Sequence, residues 1–360
     1  MANISYKCPT CGAEIFWNPT EGKFVCEYCG DSFTMADMEA SGQAAGAVDP
    51  TKVEHHEELM EGEQGQVSST DGTVGNNLVR YKCSYCGSEI ITDRATAATV
   101  CVYCGNAVVM GEQLINDFAP DYVIPFKVEK SKVMQAFKDF SKKPLTPKAF
   151  DPEQVVEKMQ GVYIPFWLYS GECHGVMQAE GINKKTHRSG DYEITEKSYY
   201  RVMRDGRVRF RNVPVDGSSK TDDAAMDSIE PFDYGELTPF KPAYLSGFLA
   251  ERFDEDSEKC FERAEKRIQN TTLDLLKRSA PYDEVDVESF NSNIKKEKPL
   301  YAMLPTWLLY TTYNGTKYFF AMNGQTGKFI GNLPIDKGKL TVFSAIGAVI
   351  GGILGYIIMG

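Results

Sequence analysis

Cysteine, whose thiolate is both a nucleophile and a soft metal ligand, occurs ten times in this chain, and eight of the ten fall into four C-x-x-C pairs. The pairs are Cys8/Cys11, Cys26/Cys29, Cys83/Cys86 and Cys101/Cys104, and each half has the spacing C-x2-C-x14-C-x2-C. Two close pairs, each on a tight turn and brought together by a β-hairpin, offer four thiolates to a tetrahedral Zn²⁺. Glycine follows the second cysteine of every pair, at Gly12, Gly30, Gly87 and Gly105, where a positive φ lets the chain fold back over the sulfurs. The expectation is two Zn²⁺ per chain in closed sites, with eight thiolate ligands, no histidine ligand and no open position for catalysis. A redox C-x-x-C needs a helix N-terminus in a thioredoxin-like βαβ setting, which the flanking sequence lacks. Disulfides conflict with the reducing compartment expected for a chain whose start, MANISYKCP, has no secretory pattern.

Equivalent cysteines lie 75 residues apart, and the same offset matches Tyr6 with Tyr81, Lys7 with Lys82, Glu14 with Glu89, Val25 with Val100 and Tyr28 with Tyr103. This is an internal duplication. A unit this small cannot bury enough core to fold alone, so metal supplies much of its folding free energy. Neither ribbon carries the excess of Lys and Arg that phosphate neutralisation requires, so exposed aromatics such as Tyr28 and Tyr103 point to protein contact over nucleic acid.

Other candidates for chemistry fail on spacing. Gly324-Gln-Thr-Gly327-Lys328 has two residues between its glycines where a phosphate loop needs four, and reads as a hairpin turn. Cys173 and His174 are neighbours on a strand and so point to opposite faces. The acids Asp216, Asp222, Asp223, Asp227, Glu230 and Asp233 lack the alternating ligands of a Ca²⁺ loop. His55 and His56 sit in a Gly-, Ser- and Glu-rich stretch with every paired thiolate already assigned. No catalytic or cofactor-binding residue emerges, and an enzyme is not expected.

These readings divide the chain into a first zinc ribbon (1–40), a flexible acidic linker (41–79), a second ribbon (80–112), an α+β body (120–335) and a C-terminal segment (340–360). The ribbons are expected to be independent beads. In the body, patterning predicts a strand at 122–128, helices at 130–142 and 152–160, a central strand at 162–180 and a hairpin over 192–215 about Asp205-Gly206. A helical block follows over 241–279, with Phe261, Ala264, Ile268, Thr272 and Leu275 on one face, and then strands at 300–313, 316–323 and 326–333. Ile164-Pro-Phe-Trp167 and Leu304-Pro-Thr-Trp307 open long strands in two halves, an echo that suggests a duplicated body.

The net charge of −11 gives the whole molecule no reason to coat nucleic acid. Locally, Arg207, Arg209 and Arg211 alternate along one strand and share a face, which meets either an anionic surface or the acids of 216–236. Residues 340–360 number 21 without a charge and would span about 31 Å as a helix, which predicts one transmembrane helix. Lys337 and Lys339 on its N-terminal side place the body on the cytoplasmic face of the cell membrane, as a single-pass C-terminal anchor. The expected fold is thus α+β: two small four-cysteine zinc ribbons, a β-rich body with packed helices and one transmembrane helix.

Tyr163-Ile-Pro-Phe-Trp-Leu168, Asn212-Val-Pro-Val-Asp-Gly-Ser-Ser-Lys220, Asp227-Ser-Ile-Glu-Pro-Phe-Asp-Tyr234, Ala243-Tyr-Leu-Ser-Gly-Phe248 and Phe320-Ala-Met-Asn-Gly-Gln-Thr-Gly-Lys328 resemble the bacterial TFIIB-type zinc-ribbon membrane proteins of the YdjG-like kind. Such proteins are often labelled PriA-like or phage replication proteins. What the resemblance implies is a membrane complex with PspA-like and SPFH (flotillin-like) partners in envelope-stress defence, with only the cysteine ligands carried over. The function expected is a non-enzymatic membrane-anchored adaptor that recruits a cytosolic protein. The alternative is a nucleic-acid-binding ribbon factor linked to replication or transcription, although the chain has no helicase motor.

Overall fold

The computed structural model describes residues 3–4, 6–41, 78–82, 89–93, 96–100, 107–110, 119–147, 159–190 and 192–359. Two compact units form: unit 1 holds Met1–Ile164, Thr221–Arg252 and Met303–Gly360, and unit 2 holds Pro165–Lys220 and Phe253–Ala302. In chain order the first elements are β1 (Asn3–Ile4), β2 (Phe16–Asn18), β3 (Lys23–Val25), β4 (Ser32–Phe33), α1 (Met35–Ala40), β5 (Leu78–Lys82), β6 (Glu89–Asp93), β7 (Thr96–Val100) and β8 (Ala107–Met110). Then come β9 (Tyr122–Val123), α2 (Lys130–Ser141), β10 (Gln160–Ser189), β11 (Tyr192–Asp216), α3 (Asp223–Ser228), β12 (Thr238–Pro239) and β13 (Leu249–Glu251). The last are α4 (Ser257–Arg278), β14 (Glu284–Lys296), β15 (Leu300–Tyr313), β16 (Thr316–Asn323), β17 (Phe329–Gly331) and α5 (Lys337–Met359). The β-rich α+β class expected from patterning is what forms. The expected linker 41–79, apart from its ends, and the helix expected at 152–160, apart from its last two residues, lie outside the described residues.

In unit 1 the two N-terminal repeats share a pairing register. Lys7 bridges Glu14, and Val25 and Phe24 pair with Ser32 and Phe33. Adding the offset of 75 gives Lys82↔Glu89, Val100↔Ala107 and Thr99↔Val108, and all three pairs are formed. The second hairpin then joins the body sheet, because β8 pairs with β1, β7 pairs with β13, and β13 runs parallel to the start of β10 at Val162↔Leu249.

The two tryptophan strands that echo each other in sequence also share a local bonding pattern. In unit 2, Phe166 pairs with Asp216, the Pro165 carbonyl accepts from Gly217 N–H, the Gly217 carbonyl accepts from Asp254 and Glu255 N–H, and Trp167 Nε1 donates to the Glu255 carbonyl at 3.0 Å. In unit 1, Thr306 pairs with Asn323, the Pro305 carbonyl accepts from Gly324 N–H, the Gly324 carbonyl accepts from Lys127 and Val128 N–H, and Trp307 Nε1 donates to the Val128 carbonyl at 2.9 Å. A helix starts two residues beyond each accepting carbonyl, α4 at Ser257 and α2 at Lys130. An aromatic residue precedes each, with Phe253 against Trp167 and Phe126 against Trp307.

Unit 2 is a three-stranded antiparallel layer, β11-β10-β14, with α4 on one face. Asp256 caps α4 by accepting from Glu258 and Lys259 N–H, and Cys260, Ala264, Ile268, Thr272 and Leu276 form its buried stripe. That stripe ends on Leu276, with Leu275 turned outward, one residue from the expected assignment. The expected hairpin about Asp205-Gly206 does not form: both residues lie inside β11, opposite Val176 and Gly175, and the turn falls at Gly190. Packing explains it, since a Cβ on Gly175 would come within 2.8 Å of Thr272 Cγ2 and one on Gly206 within 3.0 Å of Leu276 Cδ2. The glycine pair admits the helix to the sheet.

The expected transmembrane anchor is overturned: among the described residues no helix is long and apolar enough to cross a membrane. With it goes the expected location, a single-pass C-terminal anchor with the body on the cytoplasmic side. The helix that forms, α5, takes Lys337 and Lys339 into its first turn and follows them with Thr341 and Ser344. Its start is tied to unit 1, where Asp336 N–H donates to the Leu145 carbonyl and Lys339 Nζ to the Thr146 carbonyl at 2.6 Å.

Candidate metal centre

The first ribbon brings four sulfurs together. Cys8, Cys11, Cys26 and Cys29 place their Sγ atoms within 4.8 Å of one another, with Cys8–Cys29 and Cys11–Cys26 both at 3.5 Å. A tetrahedron of thiolates at the usual Zn–S length has edges of about 3.8 Å, so the four could hold a metal ion. Each C-x-x-C is a knuckle of the same build. Cys8 N–H donates to the Ala13 carbonyl and Gly12 N–H to the Cys8 carbonyl, while Cys26 N–H donates to Asp31 and Gly30 N–H to Cys26. Gly12 and Gly30 have φ of +74° and +79°, as the glycine pattern predicts.

The thiols are not equivalent. Burial works against the Cys8 thiolate, but backbone N–H groups of Cys11 and Thr10 and the neighbouring sulfurs outweigh it and bring its pKa down to about 7. Cys29 has the N–H of Asp31 pulling its pKa down, yet burial and the other three sulfurs carry it up to about 12. Ala13 N–H serves Cys11, whose pKa burial and the Cys26 sulfur nevertheless raise. Peptide N–H groups aimed at sulfur are the outer shell a four-thiolate site needs, since they offset negative charge that a divalent ion leaves over.

The ribbon is docked, not free as the sequence suggested. Tyr6, Ile15, Phe24 and Met38 form its core together with Ala243, which comes from the 3₁₀ turn Pro242–Leu245 of the body. Ser246 Oγ donates to the Ile15 carbonyl at 2.9 Å, Trp17 Nε1 donates to the Phe126 carbonyl at 3.3 Å, and the Trp17 ring meets Tyr244 edge-on at 5.1 Å. Lys241 pairs with Glu39. A capping box of Thr34 and Asp37 starts α1 and delivers Met38 to this core. Nothing in a four-residue 3₁₀ turn signals a docking site, although its Ala243-Tyr-Leu-Ser-Gly-Phe248 run is among those that carry the family resemblance.

Beside the docked ribbon, an open cleft of about 880 Å³ is floored by Phe126, Val128 and Met322 and edged by Lys127, Glu236 and Gln325. Lys127 pairs with Glu236, which also accepts from Gln325 Nε2 at 2.6 Å; the lysine and the amide hold its carboxyl below the usual range. The other candidates have structural partners. Cys173 is buried, whereas His174 turns to the opposite face and meets Asp205 at 2.7 Å. The Gly324-to-Gly327 segment is a turn whose N–H groups at Gln325 and Thr326 bond Asn323 Oδ1. Asp216 is buried against Arg263 at 2.9 Å. Cys83, Cys86, Cys101 and Cys104 lie outside the described residues.

No family model matches the chain and no solved structure matches it. It is similar to the uncharacterized protein YdjG of Bacillus subtilis (strain 168), 32% identical over 346 residues, which is 95% of this chain and 94% of that protein. An identity of that size over nearly the whole of both chains means that the chain belongs to the YdjG family.

Proposed function

We propose that this protein is a non-enzymatic zinc-ribbon adaptor, whose metal-held first ribbon presents a knuckle to a protein partner. The observation that carries the reading is Tyr28. It stands between Cys26 and Cys29 with 84% of its surface exposed, while Trp17, Phe24 and Phe33 of the same ribbon pack inward. A tyrosine held on a rigid turn is a contact residue with little entropy to lose. The closed four-sulfur site favours Zn²⁺ in a structural role, and the repeated register supports a second Zn²⁺ on Cys83, Cys86, Cys101 and Cys104. The resemblance in sequence makes a PspA-like protein the first partner to try.

Binding of a purified PspA-like protein to the metal-loaded chain, measured by biolayer interferometry, tests this. Tyr28→Ala should weaken binding by about tenfold or more. No binding, or binding indifferent to Tyr28, would count against the adaptor reading. The nucleic-acid alternative meets an obstacle in unit 2, where Glu172, Asp205 and Glu180 lie among Arg201, Arg207 and Arg209 on the same sheet face.

A further inference from the structure

We propose that β11 is the seam of a two-fold dimer, pairing antiparallel with β11 of a second copy of this chain. The proposal is independent of the ribbon's partner. Among the described residues β11 pairs only with β10, so its other side is an edge, and residues 192–201 are all exposed. An edge that long offers a row of backbone donors and acceptors to another strand.

The charges say which strand fits. Along the edge they lean to opposite signs: Glu193 and Glu196, with Lys197 beside them, stand before Tyr200, and Arg201, Arg204, Arg207 and Arg209, with Asp205 among them, stand after it. Two copies side by side in parallel would set arginine against arginine. Antiparallel about an axis at Tyr200, Glu193 of each copy faces Arg207 of the other, Glu196 faces Arg204, and Tyr199 faces Arg201. Moving the register by two residues in one direction puts Arg201 opposite itself; in the other it puts Glu193 opposite Asp205. The arrangement is isologous, so each favourable pair occurs twice.

The middle of the seam has the composition of an interface centre. Tyr199, Tyr200 and Met203 are exposed by 57%, 45% and 62%, with the complementary charges flanking them. An anionic surface fits less well, because the open face of this sheet places Glu172 between Arg209 and Lys295, and Glu180 beside Asp286.

Sedimentation of the full chain over a range of concentrations tests the seam. The wild-type chain should dimerise, and Glu193→Arg or Arg207→Glu alone should raise the dissociation constant by about tenfold. The double variant, with both charges exchanged, should return toward wild type; because it carries both substitutions, its recovery also shows that neither one damages the fold. A chain that stays monomeric throughout, or a dimer indifferent to all three variants, overturns the proposal.

Discussion

Asp216 and Glu236 show two ways in which this chain holds an acid. Asp216 is 1% exposed and paired with Arg263, whose side chain is 24% exposed, so a neutral truncation removes a charge-assisted hydrogen bond from a partly buried guanidinium. Asp216→Ala should cost about 1.5–3 kcal/mol, read as a loss in the urea midpoint of unfolding. Glu236 lies nearer water, and Lys127 and Gln325 depress its pKa. A depressed carboxylate contributes stability above its unfolded value and loses it as pH falls through the folded one. The melting temperature of the wild-type chain should therefore exceed that of Glu236→Gln at neutral pH, and the gap should close on acidification below the ordinary carboxylate range. At this scale the four-cysteine cluster of the first ribbon was legible, because the spacing that suits a tetrahedral ion is also what brings the four sulfurs together. The arginine question was not: Asp216 meets Arg263 of α4, since residues 47 apart in sequence were brought together by a helix position that periodicity alone could not orient.

At the scale of elements, the glycine pair in unit 2 and the tryptophan strands make separable predictions. Gly175→Ala pushes a methyl against Thr272 and Phe290 and should destabilise by about 1–3 kcal/mol, whereas Gly206→Ala meets only the flexible end of Leu276 and should cost less. Thermal unfolding of the two variants checks the order. Trp167→Phe and Trp307→Phe each remove one indole bond to a loop carbonyl. If the body is duplicated, their costs should match at about 1–3 kcal/mol apiece. The strands at 300–313 and 316–323 and the helix at 130–142 were legible to within a residue, because alternation and amphipathicity were undiluted there. Asp205-Gly206 misled because the sequence signature of a tight turn is the same as that of a close helix approach. Only the partner glycine on the opposite strand tells them apart.

For the whole molecule, the ribbon that looked like a separate bead is anchored by contacts with a segment more than two hundred residues away, Ser246 to Ile15 being 231 apart. Metal removal should therefore be felt beyond the ribbon. Chelation, or Cys8→Ser, should raise amide hydrogen exchange in peptides covering 241–248 as well as 6–41, while α4 stays protected. Exchange confined to 6–41 would mean that the docking contributes little. Long-range docking of this kind was illegible because its contacts are single side chains on short turns, which leave no periodic trace.

The separation of Ile15 from Ser246 also sets an order of events during synthesis. At ordinary translation speeds, 231 residues occupy a ribosome for roughly 10–45 s. For that interval Ile15 and Trp17 have emerged and their docking surface has not yet been made. Whatever holds the nascent ribbon together must already be present in it, so a metal held by Cys8, Cys11, Cys26 and Cys29 would be captured early in biogenesis, with the closing of the 241–247 segment a late step.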